Sequence, residues 1–290
     1  MKELVILSGK GGTGKTSLAA SFALLAQRPV VADCDVDAAD LHLVLAPELQ
    51  EKHDFYSGHE AVIRTDECTG CGDCLDLCRF DAISSVARAD GSSVCTIDPT
   101  ACEGCGVCAW FCPQGAIDFP DRLCGEWMVS EAASGPMVHA RLGVAAENSG
   151  KLVTTVRREA RQIAETHGYD LILVDGPPGI GCPVIAAVTG ATAVLVVTEP
   201  SVAGEHDLER VLALTRHFGI HASVCVNKWD INPAMSERIE DKARQAGARV
   251  LGRVRYDPQV TQAQLQERAV VETEAPSAED IRTIWRQLGF

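Results

Sequence analysis

The chain has 290 residues, enough for one or two domains, and 46% of them are apolar, enough to bury a core. Its formal charge at pH 7 is −14, which argues against nucleic acid as a partner because no general excess of Lys and Arg can neutralise phosphates. No apolar stretch approaches the roughly 20 residues that span a membrane, and no signal peptide is recognisable, so we expect a cytoplasmic protein that does not bind membranes.

Short apolar runs rich in β-branched residues alternate with helical patterns along the chain. The runs predict buried parallel strands at residues 4–7, 29–33, 171–175, 193–198 and 223–227. The helical patterns accompany the later strands, at residues 151–167, 203–218, 233–246 and 277–288. This alternation is typical of the α/β fold class, with a doubly wound and mostly parallel sheet.

The stretch SGKGGTGKT, residues 8–16, lies between the first predicted strand and the helical run TSLAASFALLA. Its glycines fit a dinucleotide fingerprint and also a phosphate-binding loop that ends in Gly14-Lys15-Thr16. Only the phosphate-binding loop needs the lysine, which reaches the β- and γ-phosphates, and the Thr16 hydroxyl, which ligates Mg²⁺. The strand at 171–175 ends in Asp175, the second carboxylate expected near such a metal. The sequence therefore predicts a P-loop site for ATP and Mg²⁺.

Lys10 is a second lysine within the loop, and neither motif requires it. The form Lys10-Gly-Gly-Thr-Gly-Lys15-Thr resembles the deviant phosphate loop of the MinD/ParA class of P-loop ATPases, which includes the nitrogenase iron protein. In that class the extra lysine reaches across a face-to-face dimer to the partner's nucleotide, as an arginine finger does. The resemblance implies a catalytic Lys10 and a dimer of this chain with itself or with a close paralogue; a plain surface lysine is the alternative.

Two further stretches resemble the switch regions of that class. In DCD at 33–35, the resemblance implies that Asp35 positions the attacking water and that Asp33 supports it. DGPPG at 175–179 resembles the second switch, in which the backbone of Gly179 meets the γ-phosphate. Asn227 matches the adenine-contacting position, and a polar residue that simply ends a strand is an equal alternative. The expected nucleotide-binding residues of the loop itself are Gly9, Gly11, Gly12, Thr13, Gly14, Lys15, Thr16 and Ser17.

The composition changes between the second and third predicted strands, where Cys, Gly and Asp dominate and apolar runs disappear. We interpret residues 63–120 as a small domain inserted into a P-loop ATPase domain, whose two parts are residues 1–62 and 121–290. Two runs in the insertion share the spacing C-x2-C-x2-C-x3-C, which is that of bacterial ferredoxins. Structural zinc is the alternative for cysteines this closely spaced.

In ferredoxins with two clusters, the fourth cysteine of each run ligates the other cluster. This rule predicts two 4Fe–4S clusters in the insertion, each with a complete set of thiolates. The ligands of one would be Cys68, Cys71, Cys74 and Cys112. The ligands of the other would be Cys102, Cys105, Cys108 and Cys78.

Five of the 13 cysteines lie outside these runs. Cys34 and Cys225 fall in apolar strands, where we expect packed thiols. Cys95 and Cys124 have no spacing that suggests a role. Cys182 follows the second switch, as a cluster-bridging cysteine does in the nitrogenase iron protein, but no companion ligand is recognisable and we therefore interpret it as a buried structural thiol.

As a whole, the chain resembles MinD-superfamily ATPases that carry an inserted ferredoxin domain. The resemblance implies a dimeric switch that hydrolyses Mg-ATP and couples turnover to electron transfer or to the handling of a metal cofactor or iron–sulfur cluster. We expect its partner to be a redox or metallocluster-carrying protein. Two alternatives stay open: a spatial-positioning ATPase of the cell-division type, and an electron carrier in which the nucleotide only stabilises the fold.

Overall fold

The computed structural model describes residues 1–143 and 149–290. These residues form two compact units. The larger unit comprises residues 1–53, 126–142 and 149–290, and the cysteine unit comprises residues 54–125 with Gly143. The predicted limits of the insertion, 63 and 120, both lie inside the cysteine unit. Among the described residues, every helix is too short or too polar to cross a bilayer.

The strands are numbered in chain order through both units. They are β1 (Lys2–Ser8), β2 (Val30–Asp33), β3 (Glu48–His59), β4 (Val62–Ile63), β5 (Ile83–Ala87), β6 (Ser93–Ile97), β7 (Ile117–Asp118), β8 (Asp121–Ala132), β9 (Gly135–Leu142), β10 (Leu171–Pro178), β11 (Ala193–Thr198), β12 (His221–Asn227) and β13 (Arg249–Val254).

The helices follow the same convention, and two short 3₁₀ turns (Trp229–Ile231 and Val270–Glu272) accompany them. They are α1 (Lys15–Leu25), α2 (Leu41–Leu45), α3 (Asp73–Leu77), α4 (Val107–Phe111), α5 (Ser149–His167), α6 (Cys182–Val188), α7 (Val202–His217), α8 (Pro233–Gln245), α9 (Gln259–Gln264) and α10 (Pro276–Leu288).

Nine of these strands form one sheet, in the order β13-β12-β11-β1-β10-β2-β9-β8-β3. From β13 through β9, neighbouring strands run parallel. Parallel neighbours need crossover connections, which the helices between them supply. The mostly parallel α/β sheet predicted from the alternating pattern is therefore confirmed. Its register sets Asp175 of β10 opposite Asp33, the last residue of β2, so two predicted carboxylates lie side by side on neighbouring strands.

The core of the larger unit lies on both sides of the central strands. The LVIL run of β1, residues 4–7, is fully buried, as a strand covered on both faces requires. On α10, Ile281 and Ile284 are buried against the core, and the ring of Trp285 lies 5.2 Å from that of Phe22 on α1. The apolar face of the last helix is therefore packed within the unit.

Four strands of the nine-stranded sheet, namely β3, β8, β9 and β13, escaped the criterion of a continuous apolar run. β3 forms the edge of the sheet, and most of its side chains are exposed, so its sequence ELQEKHDFYSGH is largely polar. β8 and β13 alternate apolar with charged residues, in DRLCGEWMVSEA and RVLGRV. An edge or flanking strand buries less surface than a central one, so its composition does not stand out from that of a loop.

The cysteine unit is built from short elements. Strand β4 pairs antiparallel with β7, and β5 pairs antiparallel with β6. Each cysteine run contains one short helix, α3 in the first and α4 in the second. The buried apolar cluster of the unit is small, and two of its members are thiols: Ala61, Cys74, Ile83, Cys95 and Ile117.

Candidate functional site

The loop between β1 and α1 is fixed from the end of β12. Gly14 has a left-handed backbone with φ of +88°, and a Cβ there would lie 2.3 Å from Nδ2 of Asn227. That amide donates a hydrogen bond to the Thr13 carbonyl at 2.7 Å. Lys228 Nζ donates to the Gly12 carbonyl at 2.9 Å. Only glycine fits at position 14, because its backbone and its contact with Asn227 both exclude a side chain.

Lys15 begins α1 and directs its ammonium into a cluster of carboxylates. Its Nζ lies 2.6 Å from Oδ1 of Asp175 and 3.3 Å from Oδ2 of Asp35. Asp33 accepts hydrogen bonds from the backbone N–H groups of Asp35 at 3.2 Å and Leu41 at 3.3 Å. The side chains of Lys15 and Asp175 are only 6% and 1% exposed. The fold thus brings together four of the charged residues that the sequence placed in the site: Lys15, Asp33, Asp35 and Asp175.

Three carboxylates face one ammonium, and burial together with this imbalance shifts the pKa values of Asp33 and Asp35. Burial, followed by repulsion from Asp175, raises the pKa of Asp33 well above its usual range. Burial also raises the pKa of Asp35, although attraction to Lys15 offsets part of the effect. For Lys15, burial opposes the charge, but the attraction of Asp175 and Asp35 outweighs it and raises the pKa. A divalent cation at this cluster would relieve the excess of negative charge.

Two buried polar atoms at the site have no hydrogen-bond partner among the described residues, namely Oδ2 of Asp175 and Oγ1 of Thr13. Buried polar atoms are nearly always paired, so these two are available to a ligand. Thr16 supplies a hydroxyl beside them, with its Oγ1 3.5 Å from Nζ of Lys15. Hydroxyl and carboxylate oxygens are the donors that Mg²⁺ prefers. The residues present therefore fit a magnesium ion with bound phosphates.

A cavity of about 400 Å³ opens beside the loop and the carboxylate cluster. The predicted residues that line it are Gly11, Gly12, Thr13, Gly14, Lys15, Thr16, Ser17, Asp35 and Asn227. Sequence reasoning missed the opposite wall, which Arg255, Tyr256 and Asp257 form after β13, together with Gln264 of α9. The Nε2 of Gln264 donates to Oγ of Ser17 at 2.9 Å. These residues could have been found from the rule that ligands bind beyond the carboxyl ends of parallel strands, had β13 been recognised.

Two further predicted glycines, Gly9 of the loop and Gly179 of the second switch, contact neighbouring backbone and do not line the cavity. Gly9 packs against α7, where a Cβ would lie 2.2 Å from Cβ of Asp207. The N–H of Gly179 donates to the carbonyl of Ser8 at 2.9 Å, and its φ is +90°. Both glycines hold the loop and the second switch against neighbouring backbone, outside the cavity wall.

Lys10 does not line the cavity either. Its side chain forms an ion pair with Glu199. Its Nζ is 2.5 Å from Oε1 of Glu199. The second oxygen of Glu199 lies 3.4 Å from Nζ of Lys228, so one carboxylate holds two lysines. These contacts lower the pKa of Glu199 in spite of its partial burial. Within a single chain, Lys10 is thus held by Glu199.

The eight cysteines of the two runs divide between two cavities of the cysteine unit. The first cavity is lined by Cys68, Cys71, Cys74, Cys112 and, in addition, Cys95. The second cavity is lined by Cys78, Cys102, Cys105 and Cys108. Each cavity takes three cysteines from one run and one from the other, which is the division that the ferredoxin rule predicts.

The two cysteine runs also share the same backbone conformation at equivalent glycines. Gly70 and Gly104 occupy equivalent positions with φ of +70° and +62°, and a Cβ at either would approach a backbone oxygen to within 2.3 Å or less. Gly72 and Gly106 precede α3 and α4 with φ of +88° and +76°. The spacing of cysteines and glycines is therefore tied to one repeated loop geometry.

Within the described residues, no group of three or more His, Cys, Asp or Glu side chains is placed to bind a single metal ion. A 4Fe–4S cluster makes a different demand, because each cysteine binds a separate iron at a corner of the cubane. Its sulfurs therefore surround a cavity instead of converging on one point. Two cavities, each bordered by four cysteines from the runs, fit that demand.

The thiols of the first cavity are already perturbed. Burial opposes the ionisation of Cys68, but hydrogen bonds from the backbones of Cys95 and Gly70 lower its pKa. Burial, and then the neighbouring thiol of Cys95, raises the pKa of Cys74 to about 12. Metal binding requires thiolates, so a bound cluster would displace the proton of Cys74.

The other cysteines have structural surroundings of their own. Cys34 and Cys225 are fully buried in strands, as expected, and burial raises the pKa of both. Cys124 is also buried, and its Sγ donates to the carbonyl of Ser57 at 3.1 Å. Cys182 is exposed at the start of α6, so the interpretation of it as a buried structural thiol is wrong.

Comparison with known proteins agrees with the site in the larger unit. An uncharacterized protein of Methanocaldococcus jannaschii is 31% identical over 234 residues, which are 79% of each chain. The cell division ATPase MinD of Pyrococcus furiosus superposes with a TM-score of 0.59 at 18% identity, covering 99% of this chain and 98% of its own. The septum site-determining protein MinD of Pyrococcus horikoshii, complexed with Mg-ADP, gives a TM-score of 0.60 at 16% identity, covering 99% and 96%.

These solved structures are too distant in sequence to show more than a shared fold. The family match is more specific, because the CobQ/CobB/MinD/ParA nucleotide binding domain matches residues 4–270, nearly the whole chain. That span contains the phosphate loop, the carboxylate cluster and the wall formed after β13. The chain therefore belongs to the CobQ/CobB/MinD/ParA family of nucleotide-binding domains.

Proposed function

We propose that the chain is a dimeric switch of the MinD/ParA type that binds and hydrolyses Mg-ATP. The observation that carries this proposal is the ammonium of Lys15, held between Asp175 and Asp35 at the mouth of a cavity lined by the loop. Oδ2 of Asp175 and Oγ1 of Thr13, which have no partner among the described residues, can bind a ligand there. A relative of the same fold is complexed with Mg-ADP, which supports the choice of nucleotide.

Nucleotide binding would exchange the partners of Lys15. Its ammonium would leave the carboxylates for the β- and γ-phosphates, where a cation stabilises the charge of phosphoryl transfer. Asp175 and Thr16 would then be free to hold Mg²⁺, and Asp35 would be free to orient a water molecule. Attack of that water forms a bond to the γ-phosphorus, and the bond to the β-phosphate oxygen breaks, which releases ADP and phosphate. The role of the chain is mainly positioning and electrostatics, as in phosphoryl transfer generally.

The proposal gives Lys10 its role in a dimer. Across the interface, its ammonium would reach the nucleotide of the second chain, and there it would stabilise the transition state in trans. For this it must leave Glu199, which binds it at 2.5 Å within its own chain. The partner chain is a second copy or a close paralogue. On this proposal, dimerisation and activation are one event.

The biological use of the switch has two candidates. Two solved relatives with nearly complete coverage are named for cell division or septum-site determination, which supports a spatial-positioning role more than electron transfer. A separate observation favours a second function: each of the two cavities of the cysteine unit is bordered by four cysteines, divided as in ferredoxins. We propose that these cavities hold two 4Fe–4S clusters, which supply one-electron transfer when bound. The partner would then be a redox or metallocluster-carrying protein.

Two assays on anaerobically prepared protein separate these functions. Iron analysis after reconstitution should give about eight irons per chain, since two clusters carry four each. Phosphate release from ATP should require Mg²⁺. Hydrolysis without iron, combined with ATP-dependent pelleting on liposomes, would favour the positioning function, and iron without hydrolysis would favour a plain electron carrier. Zinc in place of iron would overturn the cluster proposal.

A further inference from the structure

The two cysteine cavities differ in one residue that the spacing rule did not place. The first cavity contains a fifth cysteine, Cys95, whereas the second is lined by four. Cys95 lies on β6, outside both runs, and is 1% exposed. Two residues further along the same strand, Ile97 lines the second cavity. Strand β6 thus presents a thiol to one cavity and a hydrocarbon side chain to the other.

Cys95 is held against two of the predicted ligands. Its backbone N–H and its thiol both act as donors toward the sulfur of Cys68 and lower the pKa of that thiol, whereas toward Cys74 the thiol of Cys95 acts as an acceptor. Its position is set by pairing with Ser85 on the neighbouring strand β5. The strand, and not a flexible loop, therefore fixes Cys95 beside these two sulfurs.

A fifth thiol has no irons left to bind, because four thiolates complete a 4Fe–4S cluster. It can still donate its S–H to a neighbouring thiolate. Reduction adds negative charge that spreads onto the ligating sulfurs, so a donor at those sulfurs stabilises the reduced form and raises the potential. A hydrocarbon side chain such as Ile97 offers no such donor.

We propose that Cys95 is a hydrogen-bond donor to the ligating sulfur of Cys68, and that it holds the reduction potential of the first cluster above that of the second. This inference rests on the proposed clusters. It makes the two sites unequal, with the transferred electron residing at the first. Cys95 acts through the ligands and is a tuning residue, not a ligand itself.

The test is a redox titration of the reconstituted full-length chain, with iron analysis of every variant. In the wild type we expect two separate reduction steps. Cys95→Ala should lower the potential of the higher step and leave the iron content unchanged. Cys95→Ser, which keeps a donor, should retain the higher potential. Ile97→Cys supplies the reverse change and should raise the lower step.

Cys124→Ala is the matched control, because Cys124 is equally buried in the same unit but bonds the carbonyl of Ser57 and lines neither cavity. It should leave both steps in place. Unchanged potentials in both Cys95→Ala and Ile97→Cys would overturn the inference while leaving the clusters intact. Loss of half the iron in Cys95→Ala would also overturn it, since Cys95 would then be a ligand. A wild type without iron would remove the proposed clusters, and the inference with them.

Discussion

The two candidate sites of this chain are organised by different forces. In the larger unit, the chain itself supplies both positive and negative groups. Lys15 pairs with Asp175 and Asp35 beside the interior strands of the nine-stranded sheet. In the cysteine unit, the buried cluster is small, and thiols that face the cavities make up part of it. The nucleotide site can therefore form before the nucleotide binds. In the cysteine unit, the thiols proposed to bind the clusters occupy part of the volume that an apolar core would fill.

This difference has an energetic consequence. A small unit buries too little apolar surface to offset the loss of chain entropy, and such units usually depend on metals or disulfides. The described cysteines of the unit form no disulfide, and on the proposed function the bound clusters would supply this stability. We therefore expect nucleotide to act as a reversible ligand of the larger unit and iron to act as part of the structure of the cysteine unit.

The largest effect should come from Asp35. Asp35→Ala should still bind ATP but should hydrolyse it about a thousandfold more slowly, because it removes the group that orients the attacking water. Steady-state phosphate release measures this, and size exclusion should show an accumulated ATP-bound dimer. Asp37→Ala is the control, since Asp37 is an exposed neighbour on the same segment. Equal rates in the two variants would contradict the role of Asp35.

Lys15→Ala should weaken ATP binding about a hundredfold, because loss of one partner from a buried charged contact costs about 3 kcal/mol. It should also destabilise the nucleotide-free protein, since Asp175 and Asp35 would lose their cation. Calorimetric titration and denaturant unfolding measure the two effects. Lys10→Ala should bind ATP normally and turn over slowly. If both lysine variants lost binding equally, the two residues would not divide their roles as proposed.

Acid should weaken the larger unit through His139. Burial, and then the nearby His42, lowers the pKa of His139 to about 4, and its Nε2 lies 2.8 Å from Oγ of Ser130. An unfolded histidine titrates near pH 6.5, so the stability held above that value is lost as the pH falls from about 6.5 to about 4. Allowing for solvent screening, we expect a loss of about 2 kcal/mol, or about thirtyfold in the folding equilibrium.

Denaturant unfolding of the wild type and His139→Gln at several pH values tests this expectation. The variant should show a shallower decline of the free energy of unfolding between pH 6.5 and pH 4. His206→Gln serves as the control, because His206 is exposed on α7. Identical pH profiles for the wild type and His139→Gln would show that His139 does not couple to folding.

The smallest expected effect is the loss of half of the bound iron when one predicted ligand of the cysteine unit is replaced. Cys71→Ala should lose about four of eight irons, because each cluster has its own set of four cysteines. Cys105→Ala should lose the other four by the same logic. Iron analysis and electron paramagnetic resonance measure the loss, with Cys124→Ala as the control. Loss of all iron from Cys71→Ala would mean that the two sites assemble as one.

The predictability of the fold followed the pattern of burial. The central strands β1, β10, β11 and β12 are buried on both faces, so their apolar runs were visible in the sequence. Strand β3 lies at the exposed sheet edge and reads as a loop. The loop and carboxylate residues were found because their chemistry requires fixed types at fixed spacing.

The parts of the site that were missed depend on tertiary contacts. Arg255, Tyr256 and Asp257 reach the cavity only because β13 ends beside it. Glu199 pairs with Lys10 although the two residues are far apart in the sequence, so no local motif could predict the contact. Cys95 has no ligand spacing at all, and only the pairing of β5 with β6 brings it beside Cys68 and Cys74.

Amide hydrogen exchange, followed by peptide, tests most directly the claim that the two sites are organised differently. The reconstituted chain would be compared with chain stripped of iron by a chelator, each with and without Mg-ATP. We expect iron removal to abolish protection across residues 62–118 while the strands of the larger unit keep theirs, and Mg-ATP to slow exchange around residues 9–18 and the other segments that line the nucleotide cavity while leaving residues 62–118 unchanged. Residues 62–118 that stay protected without iron would contradict the account, because the cysteine unit would then fold without its metal.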